Sequence, residues 1–233
     1  MKVCKRILLG VFVATLYLVT FPSYARAQEL LPLRAPRAVK ERLSDAPSRI
    51  QTPLRFRLDP TQSRFMVRTF SGGLLWFKGH DHFIAVREFT GEAQLTPGAI
   101  SPAALQFTVR ADSLTETRDV FTEKQKQIIN GEIRDLVLET GKYPEIVFRS
   151  TSVSGKMGKD GYEAKIAGEL TLHGVTRHIV IPALVTLSDT NLRARGEFVV
   201  KRSDYKVNAT SALHNTIRVR DKLKLTFDIM ARQ

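Results

Sequence analysis

The chain has 233 residues, 43% of them hydrophobic, and its 36 Lys and Arg outnumber 23 Asp and Glu for a formal charge of +13. One cysteine, Cys4, excludes an intrachain disulfide framework and any cluster of cysteine metal ligands. The positive surplus favours an anionic membrane surface or a lipid headgroup as partner, and not nucleic acid, because the cations are dispersed among acids without a basic block or an aromatic-interleaved recognition motif.

Lys2, Lys5 and Arg6 precede an apolar run from Ile7 to Phe21, and Ala25 and Ala27 stand at the −3 and −1 positions of a cut after residue 27. This is the pattern of a secretory signal peptide over residues 1–27. The run is shorter than the about 20 residues needed to span a bilayer. The mature protein is therefore expected in the periplasm. Since Cys4 leaves with the signal, that product has no thiol nucleophile and no thiolate metal ligand. Residues 28–53 scatter Pro32, Pro36, Pro47 and Pro53 among Arg, Lys, Ser and Ala, which reads as a linker or flexible arm.

From residue 54 onward short alternating segments follow one another. Strands are expected at 54–59, 64–70, 74–79, 83–91, 104–111, 145–154, 162–172, 176–187, 193–202 and 221–231. In the last, Leu223, Leu225, Phe227 and Ile229 face one way and Lys222, Lys224, Thr226 and Asp228 the other, one face dry and one wet. Residues 122–140 instead repeat near 3.6, with Ile129, Ile133, Leu136 and Val137 on one stripe and Thr122 and Gln125 at capping-box spacing. The fold class is all-β with one amphipathic helix. So many antiparallel strands in residues 54–233 must close into a barrel or stack as a sandwich, because open edges aggregate. A barrel of about eight strands can enclose a small ligand or chain.

Candidate chemistry starts at Gly79-His80-Asp81-His82-Phe83. In extended chain His80 and His82 share a side and Asp81 opposes them, so the two imidazoles are candidates for a metal that Asp81 cannot join. Two histidines alone make a weak site, and polar residues at a strand end or pocket rim explain them as well. His173 and His178 flank a turn in which Gly174 supplies the reversal. The sequence lacks a nucleophile elbow and a His-Glu-x-x-His helix. The acid pairs Glu116 with Asp119 and Glu132 with Asp135 read as solvated faces of a loop and a helix. Phe65, Val67, Trp76, Phe107, Val109, Phe148, Ile166, Leu170, Leu172, Phe198, Leu225 and Phe227 occupy dry faces, either as ordinary core or as the lining of a cavity.

Tyr143, Pro144 and Phe148 in "YPEIVF", with Gly168, Leu170, Thr171, His173, Gly174, Val175 and Thr176 in "GELTLHGVT", set among the surrounding strands in this order, resemble the YceI-like family of exported proteins over about residues 54–232. That resemblance implies an extended antiparallel lipocalin-like β-barrel, a helix packed against it, a periplasmic setting and a long apolar interior holding a polyisoprenoid or similar lipid. It implies no catalytic residue and no cofactor. The sequence departs from the family pattern where Lys206 follows Arg202, Asp204 and Tyr205 in place of glycine. On this basis the twelve dry-face residues are expected to line a lipid cavity, and His80, His82, His173, Arg177 and His178, by their strand-end positions, to form its polar rim. The ligand would be an isoprenoid quinone, a polyprenyl compound or another long-chain lipid, with a homodimer left open. A metal-dependent or redox-coupled envelope enzyme using His80 and His82, and an envelope adaptor using the basic arm, remain the alternatives.

Overall fold

A computed structural model describes residues 52–73, 77, 79–96, 103–188, 190–208, 211–212 and 217–233. The expected signal peptide and nearly all of the arm lie outside these residues. The elements are β1 (Leu54–Leu58), β2 (Arg64–Thr69), β3 (Ser71–Gly72), β4 (His82–Val86), β5 (Phe89–Leu95), β6 (Ala103–Arg110), β7 (Leu114–Glu116), α1 (Glu123–Glu132), β8 (Glu145–Met157), β9 (Tyr162–Leu172), β10 (Val175–Leu187), β11 (Asn191–Lys201), β12 (Ser211–Ala212), β13 (Ile217–Val219) and β14 (Lys222–Arg232).

Eight strands in the order β1-β5-β6-β8-β9-β10-β11-β14 form one antiparallel sheet, and β1 pairs with β14 to close it into a barrel. Closure removes the exposed edges that a long sheet would otherwise offer. The last residues of β14 pair with β1, while Lys224–Asp228 pair with β2, so β2, β4 and β7 extend the wall beyond β1. The turn between β1 and β2 is held by Asp59, whose Oδ1 accepts from the Thr61 amide at 3.0 Å. A small separate sheet joins β12, β13 and β3.

Alternation decides which side chains face inward. Along β9, Ala164, Ile166, Leu170 and Leu172 are buried and the intervening residues are more exposed. The same parity on β14 turns Leu223, Leu225, Phe227 and Ile229 into the interior. Five rings form an aromatic belt there: Phe65 stacks on Phe107 at 5.4 Å and on Phe227 at 6.2 Å, with Phe89 and Phe198 at its ends. Phe56, wholly buried, packs with Leu192 and Ala231 at the far end of the bore.

Three expectations are corrected. The segment expected as one strand over 83–91 breaks at Arg87 and Glu88 into β4 and β5, which pair with different neighbours. Of residues 74–79, the described Phe77 and Gly79 are not in a strand. The helix is capped as expected, with Thr122 and Gln125 forming both bonds of the capping box, but it is α-helical only to Glu132 and ends in a π turn over Ile133–Val137. There the Leu138 amide donates to the Ile133 carbonyl at 2.9 Å. The wider turn rotates Leu136 to 62% exposure and brings Val137 and Leu138 inward.

The two motif segments are packed against each other in the wall. Gly168 on β9 has no room for a side chain, because a Cβ would lie 2.6 Å from the Phe148 ring and closer still to the Arg149 carbonyl. His173 and Gly174, both at positive φ, make the tight β9–β10 hairpin turn. Tyr143 covers it, with a Gly174 Cβ position 2.6 Å from its ring and the His173 ring centroid at 4.4 Å.

Candidate functional site

Among the described residues, three chambers that share walls follow one another along the bore of the barrel. The central one, about 170 Å³, is lined by 24 residues, all of them Ala, Val, Leu, Ile or Phe. Phe65, Val67, Phe107, Val109, Phe148, Ile166, Leu170, Leu172, Phe198, Leu225 and Phe227 are among them, whereas Trp76 lies outside the described residues. A lower chamber of about 90 Å³ shares Ala93, Leu105, Ile166, Leu192 and Ala194 with it. An upper chamber of about 170 Å³ shares Val67, Leu114, Leu138, Leu172 and Leu223, and is roofed by Ile129, Glu132, Ile133 and Val137. The helix is tied to the wall beneath it, since the Glu116 amide donates to the Asn130 side-chain oxygen at 2.7 Å.

The lower chamber adds Gln94 and Tyr162 to its apolar lining, and the upper one brings charged and titratable side chains to the bore. Thr69 and His82 are cross-strand partners on β2 and β4, and both line it together with Glu132 and Arg202. Nδ1 of His82 meets Oε2 of Glu116 at 2.8 Å, and the His82 ring stacks on Phe121 at 5.3 Å with an interplanar angle of 10°. Oε1 of Glu116 accepts from the amides of Phe83, Thr117 and Arg118. Burial pushes the Glu116 carboxyl up, but the His82 bond and the amides of Arg118 and Phe83 outweigh it and hold it below the usual carboxylate range. Oγ1 of Thr69 and Nε of Arg202 are buried without a hydrogen-bond partner.

The residues expected at the rim separate. Only His82 borders a chamber. His80 sets its ring edge-on to Phe121 at 5.6 Å, and Asp81 turns the other way to Arg68 Nη2 at 2.8 Å. His173 is held in the hairpin clamp, Nε2 at 2.8 Å from Glu139 Oε2. His178 points outward to Glu169 at 3.2 Å because its neighbours Ile179 and Ile181 pack against the core. The exposed Arg177 donates from Nε to the Asp204 carbonyl. Among the described residues no three His, Cys, Asp or Glu side chains gather as a metal site.

Sequence reasoning placed Glu116 on a solvated face, and the structure corrects this: its side chain is 0% exposed. Glu132, read the same way, borders the upper chamber. Thr69 and Arg202 were not singled out for it; the signal for Thr69 was its position two residues after the inward Val67.

A closed antiparallel barrel with a dry bore and a helix over its polar end defines the class. The chain belongs to the YceI-like domain family, whose model matches residues 56–231. Protein YceI of Escherichia coli O6:H1 is 37% identical over 83 residues, which is 36% of this chain and 39% of that protein, so the match spans well under half of the relative. Among solved structures, Burkholderia cenocepacia BcnA superposes with a TM-score of 0.58 at 16% identity, covering 74% of this chain and 98% of that one. A polyisoprenoid binding domain from Saccharophagus degradans, implicated in plant cell wall breakdown, gives 0.51 at 17% identity, covering 76% and 97%. These likenesses establish the shared barrel fold.

Proposed function

We propose that the protein is a periplasmic, non-enzymatic binding protein that holds an isoprenoid-type lipid, a polyprenyl compound or isoprenoid quinone, along the barrel axis. The observation that carries this reading is the central chamber, in which 24 apolar residues and no polar side chain surround open space. An empty apolar cavity of about 170 Å³ costs about 4 kcal/mol at about 24 cal/mol per Å³, which a packed core would avoid. Each chamber is below the roughly 300–1,000 Å³ of a ligand pocket, so a long flexible chain that threads all three fits better than a compact ligand. Every methylene buried contributes about 0.8 kcal/mol, and a prenyl tail needs no polar contact to stay bound. The polyisoprenoid binding domain among the fold neighbours supports the choice of tail, and the run from Lys2 to Ala27 supports export.

Ala194, which borders both the central and lower chambers, provides the test. Ala194→Phe fills the passage between them. Incubated with prenyl alcohols of graded length and weighed by native mass spectrometry, the variant is expected to retain short chains and lose the longest. The same length limit in variant and wild type would contradict threading through the bore.

A further inference from the structure

Independently of what the bore holds, we propose that the outer wall formed by β11, β14 and β2 is a docking face for an anionic lipid bilayer. The cationic surplus of the barrel gathers there. β11 carries Arg193, Arg195 and Lys201 against Glu197, β14 carries Lys222, Lys224 and Arg232 against Asp228, and β2 carries Arg64 and Arg68 with no acid. On β5, β6, β8, β9 and β10 the charges nearly cancel, five Arg or Lys to four Glu. Alternation turns the cations of the basic wall outward, because Val67, Phe198, Val200, Leu223 and Phe227, on the opposite parity, line the bore.

Half of these cations have no acid to neutralise them. Asp228 lies in the fork of Arg193, at 2.7 Å from Nε and 2.5 Å from Nη2. Lys224 meets Glu197 at 2.8 Å, Arg68 meets Asp81 at 2.8 Å and Arg232 meets Asp59 at 3.2 Å. Among the described residues this leaves Arg64, Arg195, Lys201 and Lys222 without a carboxylate partner. They stand as two pairs. Arg195 and Arg64 flank Asp228 from β11 and β2, so three guanidinium groups attend one carboxylate. Lys201 stands directly opposite Lys222, a like-charge placement that costs a sheet stability. An anionic partner relieves both.

Their spacing decides the kind of partner. Along β14 from Lys222 to Asp228 the two pairs lie about 20 Å apart at about 3.4 Å per residue, well beyond the Debye length of about 8 Å at physiological salt. A small anion cannot reach both, whereas a bilayer offers anionic headgroups along its whole surface. A folded acidic protein fits less well. Protein interfaces gather around an apolar, aromatic core, but between these pairs lie the Glu197 and Lys224 ion pair and Thr226, the register partner of Glu197.

The experiment floats the protein with vesicles of phosphatidylcholine, alone or mixed with phosphatidylglycerol at a three-to-one ratio, at low and high salt. The wild type is expected to bind the anionic vesicles only, and to leave them in high salt. Two double variants, Lys201→Gln with Lys222→Gln and Arg64→Gln with Arg195→Gln, break no ion pair within the protein. Each should weaken vesicle binding roughly 25-fold, at about fivefold per cation removed, without lowering the melting temperature. Arg149→Gln with Lys165→Gln removes the same charge from β8 and β9, and should leave vesicle binding nearly unchanged. Equal losses from both walls would show that net charge, and not this wall, drives adsorption, and would overturn the proposal. Equal binding to neutral vesicles, or none to anionic ones, would overturn it too. A protein that ignores the vesicles yet holds polyglutamate through the same four cations would overturn the bilayer as partner. None of these outcomes bears on whether the bore takes up a prenyl chain.

Discussion

His82 and Glu116, 34 residues apart in sequence, meet at 2.8 Å with the glutamate side chain wholly excluded from solvent. The pair joins β4 to β7 under the helix, and three backbone amides complete the carboxylate's coordination. Removing the carboxylate strips His82 and three amides of a shared buried acceptor, so Glu116→Ala is expected to cost about 3–5 kcal/mol and Glu116→Gln about 1–3. Because the folded carboxyl is held below its usual value near 4.5, its stabilisation is present above that pH and fades as pH falls further. Urea denaturation at neutral pH and below pH 4 reads both effects. A Glu116→Gln protein as stable as wild type at neutral pH would contradict the assignment.

Tyr205 titrates in the opposite sense. It is 1% exposed, its hydroxyl has no partner, and burial pushes it up to about 12 from an ordinary value of 10. The folded state therefore keeps a proton that the unfolded chain loses. This contribution is intact below pH 10 and is lost as pH rises toward 12, by up to about 3 kcal/mol. Tyr205→Phe should unfold less steeply with alkali, as seen by circular dichroism, and parallel alkaline curves for the two proteins count against it.

Lys206 stands where the family resemblance implies a glycine, and its φ of 57° is the left-handed conformation that glycine serves. The turn is thus made at a side chain's expense, since αL costs an ordinary residue about 1–2 kcal/mol. Lys206→Gly is expected to shift stability by no more than about 1 kcal/mol, because glycine's extra unfolded-state freedom offsets the relief. Lys206→Val should lower the melting temperature clearly. Tolerance of valine would mean that the turn relaxes.

At Gly168 the wall admits no methyl group, since Phe148 and the Arg149 carbonyl already occupy that space. Gly168→Ala is expected to destabilise by about 1–3 kcal/mol. Phe148→Leu in the same chain should recover part of the loss by withdrawing the ring. Additive effects of the two substitutions in a double-mutant cycle would show that ring and glycine do not interact.

Much of this barrel was legible because one physical signal, alternation with a dry face, governs its long strands. Leu223, Leu225, Phe227 and Ile229 could be assigned inward from β14 alone. The bend at Arg87 and Glu88 carries no Gly or Pro, so nothing local announced that β4 and β5 separate. The π turn was hidden for a similar reason: Leu136 and Val137 suit a helical stripe equally well until the hydrogen-bond spacing changes. Glu116 was misplaced because its burial is licensed by backbone amides and by His82, groups that no window around residue 116 reveals as neighbours. Among the five rim candidates, strand-end position was a poor guide. His178 faces away from the bore because it alternates with the inward Ile179, and only His82 has the inward register that reaches a chamber.

The central claim, that the dry bore is a seat for an isoprenoid chain, is tested most directly by native mass spectrometry of the protein purified under mild conditions from its own host, followed by solvent extraction of whatever it releases. The account predicts one long-chain isoprenoid per protein. A protein that emerges with its bore empty, and takes up no prenyl compound when these are supplied, would contradict it.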